Sequence, residues 1–225
     1  MNQGFIKVAA GTPGVTVADC RANTKAILEM IKEMEAQHAK IMVFPELCIT
    51  GYTCQDLFLQ RRLLDSAWET LMRIAAETAD VDALIFLGVP VRNKGKLYNV
   101  AAVLNRGEIL GLVPKSYLPN YGEFYEQRHF VSGLGCLEFM SINGKKIPFG
   151  TNLLFVCEEL QELIVAAEIC EDLWVNMPPS VIHAQAGANL IVNLSASNEM
   201  VGKDSYRRSL VSGQSARLVC GYVYA

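Results

Sequence analysis

Residues 82–114 have the sequence DALIFLGVPVRNKGKLYNVAAVLNRGEILGLVP, which gives the clearest indication of the architecture. Its first part, residues 82–89, is an apolar run typical of a strand that is buried on both faces. Residues 97–105 and 108–113 predict two further strands joined at Arg106-Gly107, where glycine supplies a positive φ for a hairpin turn. A buried strand followed by a hairpin indicates a sheet architecture with both fully buried and antiparallel members.

On either side of this stretch, helices and strands alternate along the chain. Apolar residues recur at three- and four-residue steps over residues 17–37, which predicts a helix, and the run 41–44 predicts a buried strand that Pro45 ends. Further strands are expected at 5–10, 152–156, 162–169, 189–194 and from Tyr222, and further helices at 55–78, 178–187 and 204–218. We therefore expect a layered α/β sandwich rather than a single doubly wound sheet.

The length and composition are those of one ordinary globular domain. A chain of 225 residues can bury roughly 70% of the surface that its unfolded form exposes. Hydrophobic residues make up 51% and charged residues 19%, which excludes a disordered or coiled-coil protein. The net charge is -3 and Lys and Arg form no cluster, so we expect no nucleic-acid partner.

The lack of a signal-peptide pattern and the cysteine content favour a cytoplasmic protein. Residues 1–14 lack the pattern of a signal peptide, and no apolar run reaches the ~18 residues of a membrane span, so no membrane partner is expected. The seven cysteines are odd in number and lack CxxC spacing, which argues against a disulfide framework and against a metal site. Most of them are expected to be buried packing residues.

Three residues suited to amide chemistry each follow an apolar run. Glu46 and Lys115 stand just after a strand and a proline, in FPEL and VPKS, and Cys170 ends the run LIVAAEIC. One charged residue in such a place is usually inert, and one cysteine there usually only packs. Three together indicate a site, because Glu can take the thiol proton, Lys can stabilise an oxyanion and Cys can attack a carbonyl carbon.

The surroundings of Cys170 also require a cation nearby. A strand end that feeds a tight turn can present a nucleophile next to a backbone N–H aimed at the oxyanion. The carboxylates of Glu171 and Asp172 follow at once, and they would raise the pKa of the thiol unless a positive charge is close. Residues 115–133, which are rich in aromatics and have no clear period, are expected to form a long ordered loop with a functional role.

Three segments carry a resemblance to a known family: VFPELCITGYTCQDLF at 43–58, VPKSYLPNYGEFYEQRHF at 113–130 and AAEICEDLW at 166–174. They resemble the three catalytic stretches of the nitrilase, or carbon-nitrogen hydrolase, superfamily. More narrowly, they are similar to the N-terminal glutaminase domain of glutamine-dependent NAD+ synthetases. The resemblance covers nearly the whole chain and implies a four-layer α-β-β-α sandwich over residues 1–225.

The resemblance implies specific roles for residues of this chain. The family triad falls on Glu46, Lys115 and Cys170, which would release glutamate and ammonia from L-glutamine through a thioester, and Glu126 matches a further glutamate beside the triad. The implied glutamine-binding residues are Tyr121, Phe124, Glu171, Ser197 and Lys203. A turn hydroxyl at Ser197 and a solvated lysine at Lys203 are the plain alternatives for two of them.

The family pattern is incomplete in this sequence. The SGGxDS-type pyrophosphate loop of an adenylating domain does not occur, so ATP, Mg²⁺ and deamido-NAD+ are expected to belong to a synthetase domain that is absent here. The run YVYA, which ends at Ala225, reads as a strand just begun, so we expect a piece of a longer protein, truncated at its C-terminus. The resemblance further implies an ammonia tunnel to the synthetase domain and a homo-oligomer.

Two other functions stay open from the sequence. A stand-alone amidase of the same superfamily would use the same triad on another amide or on an N-carbamoyl compound. A docking module with an inert triad would leave Cys170 unreactive. A redox-sensing thiol fits less well, because no second cysteine lies close to Cys170 in the sequence.

Overall fold

Two β-sheets organise the chain in the computed structural model, which describes residues 5–225. The first has seven strands in the order β1-β2-β3-β4-β5-β7-β6 and the second has four in the order β11-β10-β9-β8. The strands of the first sheet are β1 Val8–Ala10, β2 Ile41–Val43, β3 Leu84–Asn93, β4 Lys96–Asn105, β5 Glu108–Pro114, β6 Leu137–Ile142 and β7 Lys145–Gly150. Those of the second are β8 Phe155–Val156, β9 Ile164–Ile169, β10 Leu190–Leu194 and β11 Gly221–Tyr224.

Four α-helices cover the outer faces of the sheets. They are α1 Cys20–Ala36, α2 Arg61–Glu77, α3 Pro179–Gln185 and α4 Lys203–Leu218. Apolar residues of α1 and α2, such as Ile27 and Leu71, pack against the first sheet. Ala184 of α3 and Leu218 of α4 pack against the second sheet. Amphipathic helices bury their apolar stripe in this way, and each sheet gains one covered face.

The inner faces of the two sheets form a shared core. Val43, Phe86 and Val103 of the first sheet contact the cluster that contains Val165 and Val192 of the second. These strands are apolar on both faces because one face meets a helix layer and the other meets a sheet. The predicted four-layer α-β-β-α sandwich is therefore confirmed.

The hairpin expected from residues 97–113 is present. Strands β4 and β5 pair antiparallel, and both turn residues have positive φ, 46° at Arg106 and 82° at Gly107. This is the combination that a two-residue hairpin turn requires. Strands β1, β2 and β3 pair in parallel, so the first sheet is mixed, as the sequence indicated.

One expected helix begins later than predicted, and one hairpin was not predicted. The helix expected over 55–78 begins only at Arg61, because the preceding segment Tyr52–Leu59 forms 3₁₀ turns with Gln55 at φ 50°. The sequence-based interpretation also contained no hairpin at β6 and β7, which pair antiparallel at one edge of the first sheet. The loop 115–133 lacks strands and α-helix, as expected, and contains one 3₁₀ turn at Glu126–Arg128.

No helix among residues 5–225 combines the length and the apolar character needed to span a membrane. In the same part of the chain, no group of three or more His, Cys, Asp and Glu side chains is arranged to hold a metal ion.

Candidate active site

Three strand ends from the two sheets converge on one buried place. Glu46 follows β2 and Lys115 follows β5 in the seven-stranded sheet, whereas Cys170 follows β9 in the four-stranded sheet. All three residues are buried, and the side chains of Glu46 and Lys115 have no exposed surface. Charged groups are almost never buried to this extent unless they are paired. The site therefore exists only where the two sheets meet.

The Lys115 ammonium is held between two carboxylates. Its Nζ lies 2.6 Å from Oε1 of Glu46 and 2.6 Å from Oε1 of Glu126. Burial alone would lower the pKa of Lys115, but the negative charges of Glu46 and Glu126 raise it above its ordinary value. Lys115 is thus a permanent cation at neutral pH.

Glu46 is fixed by two further donors. The side-chain amide of Asn99 donates to Oε1 at 2.6 Å, and the backbone N–H of Ala196 donates to Oε2 at 3.1 Å. Asn99 lies in β4 of the first sheet, while Ala196 follows β10 of the second. Both sheets therefore orient this carboxylate.

Glu126 is held by Tyr52 from the 3₁₀ segment that follows Glu46. The Tyr52 hydroxyl donates to Oε1 of Glu126 at 2.7 Å. Burial raises the pKa of Glu126, and the charge of Glu46 adds to that rise. The second oxygen, Oε2, is buried and has no hydrogen-bond partner among residues 5–225. Glu126 therefore has one oxygen on Lys115 and one that remains available to a bound molecule.

Cys170 begins a 3₁₀ turn in an unusual backbone conformation. Its φ is 43°, in the left-handed region that non-glycine residues rarely adopt. Its own N–H donates to Oδ1 of Asn193 at 3.1 Å, so this N–H is not free to stabilise an oxyanion. The turn that begins at Cys170 is thus tied to β10.

The thiol of Cys170 is protonated at neutral pH. Burial raises the pKa of Cys170 to about 12, and the charge of Glu46 contributes in the same direction, while Lys115 lowers it. The neighbouring carboxylate that acts on the thiol is thus Glu46 rather than the adjacent Glu171-Asp172 pair. A base must remove the thiol proton during attack.

Asp172 connects the cysteine turn to the segment after Lys115. Its carboxylate accepts the backbone N–H of Ile169 at 2.9 Å, of Ser116 at 3.1 Å and of Tyr117 at 2.8 Å. Burial raises the pKa of Asp172 to about 8. One side chain therefore fixes the relative positions of the two segments that carry the nucleophile and the cation.

The predicted glutamine-binding residues fall into two groups near this centre. In the first group, the Tyr121 hydroxyl donates to Oε2 of Glu171 at 2.9 Å. The ring of Phe124 packs edge-on against Tyr121, with centroids 5.7 Å apart, and against Tyr52 at 6.2 Å. The aromatic loop thus forms a wall beside Glu171.

The second group lies at the start of α4. The Lys203 ammonium stands 4.9 Å from the ring centroid of Trp174 and donates to the side chain of Asn198. The Ser197 hydroxyl lies 3.5 Å from the carbonyl oxygen of Asn198. Within residues 5–225, neither Glu171 nor Lys203 has an oppositely charged partner in a salt bridge. Both charges therefore stay available to a ligand.

A cavity of about 700 Å³ opens beside the aromatic loop. Tyr121 and Glu171 lie in its wall together with Phe130 and Val175, but Cys170 and Lys115 do not. The cavity therefore adjoins the triad instead of covering it, and it lies on the Glu171 side.

Four residues that shape the site were not among the predicted catalytic and substrate-binding residues: Tyr52, Asn99, Asp172 and Asn193. Asn99 and Asn193 are single polar residues inside apolar runs, LYNVAAVLN and LIVNL. A buried amide needs partners, so such isolated residues are a usable signal. Tyr52 and Asp172 carry no comparable signal, because neither is an isolated polar residue inside an apolar run.

The family model described as carbon-nitrogen hydrolase matches residues 7–218. The chain belongs to this family. The buried Glu46, Lys115 and Cys170 thus lie within a carbon-nitrogen hydrolase domain.

The curated relatives of this carbon-nitrogen hydrolase domain confirm the narrower resemblance. The chain is 42% identical over 222 residues to the glutamine-dependent NAD(+) synthetase of Mycobacterium tuberculosis (strain ATCC 25618 / H37Rv), covering 99% of this chain and 33% of the relative. It is 34% identical over 209 residues to the protein of the same name from Aquifex aeolicus, covering 93% and 33%. The chain thus spans about a third of the length of these relatives.

Two solved structures share the fold of this chain. A glutamine-dependent NAD(+) synthetase from Cytophaga hutchinsonii matches with a TM-score of 0.88 and 35% identity over 98% of this chain and 35% of that chain. An amidase from Nesterenkonia sp. matches with a TM-score of 0.73 and 20% identity over 98% of this chain and 75% of that chain, which shows the shared fold alone.

Proposed function

We propose that this carbon-nitrogen hydrolase domain hydrolyses the side-chain amide of L-glutamine through a thioester on Cys170. The observation that carries the proposal is the buried Lys115 ammonium, clamped at 2.6 Å by both Glu46 and Glu126 next to a strained cysteine. A packing cysteine needs neither a base nor a buried cation. The similarity to glutamine-dependent synthetases supplies the substrate class.

In the first step, Glu46 takes the proton from Sγ of Cys170 as the sulfur attacks the amide carbon. The C=O electron pair moves onto oxygen, and the Lys115 ammonium stabilises the resulting oxyanion. The raised pKa of Cys170, about 12, makes this transfer necessary, because little thiolate exists before the substrate binds. The low-dielectric surroundings strengthen the attraction between Lys115 and the oxyanion.

In the second step, the tetrahedral intermediate collapses and the C–N bond breaks. Protonated Glu46 returns its proton to the departing nitrogen, so that ammonia leaves and a thioester remains on Cys170. Water then attacks the thioester, with Glu46 as base, and the C–S bond breaks to release glutamate and the thiol. The free Oε2 of Glu126 can accept a hydrogen bond from that water.

Recognition of glutamine requires partners for its charged head. Glu171 suits the α-ammonium, whereas Lys203 with the Ser197 hydroxyl suits the α-carboxylate, since neither charge is used in a salt bridge of the described chain. Tyr121 and Phe124 suit the aliphatic stem of the substrate. A simple amide would lack these head-group interactions.

The ammonia is proposed to serve synthesis of NAD+ from deamido-NAD+ by the synthetase domain of a longer cytoplasmic protein. The curated relatives of this chain are about three times as long as the matched region, because only 33% of their length is covered. ATP, Mg²⁺ and deamido-NAD+ would act at that second domain, and the hydrolysis itself uses only side chains and water. Ammonia transfer through a tunnel and a homo-oligomeric state are part of the same proposal.

The test is the intact mass of the protein after exposure to 6-diazo-5-oxo-L-norleucine, a glutamine-like diazoketone that alkylates activated thiols. One adduct is expected on the parent protein and none on Cys170→Ala. The matched control is Cys157→Ala, which removes a half-buried cysteine away from the triad and should keep the adduct. Excess glutamine should suppress labelling.

Substrate selectivity distinguishes the two hydrolase hypotheses, a glutaminase and a general amidase. Protection by glutamine but not by acetamide or propionamide supports a glutaminase, whereas equal protection by simple amides would indicate a general amidase. A folded protein without any adduct would contradict both and favour a docking module.

A further inference from the structure

The backbone of Cys170 is held in a conformation that the residue does not favour. Its φ of 43° is in the left-handed region, and a non-glycine residue stays there only when its surroundings hold it. The one hydrogen bond of the Cys170 N–H goes to the side chain of Asn193, at 3.1 Å. This bond joins the nucleophile's backbone to β10 and involves neither Lys115 nor Glu46.

Asn193 is a fully buried amide in the middle of the second sheet. On β10 it pairs with Glu168 of β9 and Tyr224 of β11, so a row of polar side chains crosses a sheet face that otherwise packs apolar residues. Its Oδ1 accepts the Cys170 N–H and also the Ser195 hydroxyl, at 2.7 Å. Both acceptor positions of this oxygen are therefore used.

The direction of the Asn193 amide is fixed from the other end. Its Nδ2 donates to the Tyr222 hydroxyl oxygen at 3.0 Å, and Tyr222 in turn donates to Oε1 of Glu168. Glu168 also accepts the backbone N–H of Ser180 at 2.9 Å, at the start of α3. A carboxylate can only accept, so the Tyr222 proton is committed to Glu168 and the oxygen of Tyr222 can only receive the Asn193 N–H. The amide oxygen must then face Cys170.

We propose that Asn193 is the positioning residue that holds Cys170 in its attacking conformation, with Tyr222 and Glu168 setting the direction of its amide. Asn193 touches the backbone of the nucleophile and not the predicted glutamine-binding residues. Its loss should therefore slow the chemistry at Cys170 without weakening substrate binding. The turnover measurement rests on the proposed glutaminase function, whereas the thiol measurement does not.

The experiment compares Asn193→Leu, which keeps the side-chain size, with the parent protein. The first measurement is the rate of Cys170 alkylation by chloroacetamide, and the second is kcat and KM for glutamine hydrolysis. Both the alkylation rate and kcat are expected to fall on the order of 10- to 100-fold, since small displacements of a reacting group have effects of this size. KM should stay within about threefold, because contacts made equally with substrate and transition state are unchanged.

The matched control is Asn189→Leu, at the residue that immediately precedes the opposite end of β10. Asn189 also bridges two backbone groups, Ile164 N–H and Glu162 C=O. It lies at the end of β10 that is remote from the Cys170 turn. It should lose stability without losing Cys170 reactivity. An Asn193→Leu protein that is folded and keeps parental alkylation and kcat would overturn the proposal.

A second variant decides the matter if Asn193→Leu does not fold. Tyr222→Phe removes the hydroxyl that fixes the amide and keeps the ring, so a smaller fall in alkylation rate and in kcat is expected, again with KM unchanged. Parental values of both rates in Tyr222→Phe would overturn the proposal. If the parent protein reacts with chloroacetamide but does not hydrolyse glutamine, the proposed function fails, and the alkylation rates alone still decide the role of Asn193.

Discussion

A Cβ atom placed on Gly88 would lie 2.6 Å from the carbonyl carbon of Glu46 and 2.1 Å from the backbone nitrogen of Leu47. Strand β3 thus supports the turn that presents Glu46, the proposed catalytic base, and the Gly88 carbonyl also accepts the backbone N–H of Ile49 at 3.2 Å. Only glycine permits this approach. We expect Gly88→Ala to displace Glu46, to abolish most glutamine hydrolysis and to lower the unfolding midpoint in urea.

The control for this variant is Gly213→Ala in α4. A Cβ at Gly213 meets nothing within 4 Å, and alanine favours a helix over glycine by roughly 0.5–1 kcal/mol. Gly213→Ala should therefore be fully active and slightly more stable. Full activity of Gly88→Ala would show that the Glu46 turn can move without consequence.

Removal of the Lys115 charge should destabilise the protein as well as inactivate it. Lys115→Met leaves the carboxylates of Glu46 and Glu126 buried without their cation, a change that typically costs about 3–5 kcal/mol. The exposed pair of Lys145 and Glu108 is the comparison, because Lys145→Met should change stability by less than about 1 kcal/mol. Urea unfolding at neutral pH measures both.

A second substitution distinguishes unpaired buried charge from lost packing as the cause of that destabilisation. Adding Glu126→Gln to Lys115→Met removes one of the two buried charges, so the double variant should be more stable than Lys115→Met alone while remaining inactive. The deficit of Lys115→Met should also shrink as the pH falls, since protonation neutralises the facing carboxylates. A deficit independent of both changes would indicate lost packing instead.

Glu46→Gln should move thiol acidity and activity in opposite directions. Burial and then the charge of Glu46 raise the pKa of Cys170, so the neutral amide should lower this pKa and increase the thiolate fraction. Turnover should nevertheless fall by on the order of 10²–10⁴, because no base remains to carry the proton to ammonia. The ultraviolet absorbance of the thiolate, with Cys170→Ala as blank, gives the pKa. Retained turnover would exclude Glu46 as the base.

The free energy of unfolding is expected to depend on pH through Asp172. Burial raises its folded-state pKa to about 8, above an unfolded value near 3.9, so between these values the folded state binds more protons. Its contribution to stability is therefore greatest below about pH 4 and is lost as the pH rises toward about 8. Asp172→Asn should lack this slope. Urea unfolding of both proteins at several pH values tests it, and parallel curves would contradict the shift.

The fold was predictable where a local pattern coincided with burial. Apolar runs located the central strands, and Arg106-Gly107 located the β4–β5 turn. The β6–β7 hairpin was missed although Asn143 and Gly144 are a strong turn signal and have φ of 49° and 79°. Its strands lie at a sheet edge with Leu137 and Phe139 exposed, so no continuous apolar run marks them.

The site was predictable only in part for a related reason. Glu46, Lys115 and Cys170 stand out because each follows a strand, which is a local feature. Asn99, Asp172 and Asn193 act through hydrogen bonds to residues 23 to 56 positions away. Such pairings follow from sheet order, and sheet order follows from packing between layers rather than from any single segment.

In the proposed mechanism, the division of the triad between two sheets also orders the appearance of activity during synthesis. Glu46 and Lys115 belong to strands that leave the ribosome well before β9 and Cys170. A nascent chain with only its first sheet folded possesses a base and a cation but no nucleophile. Thiol reactivity is therefore expected only once the second sheet docks, and an unfinished chain should consume no substrate. Thiol labelling during refolding would time the docking of the two sheets.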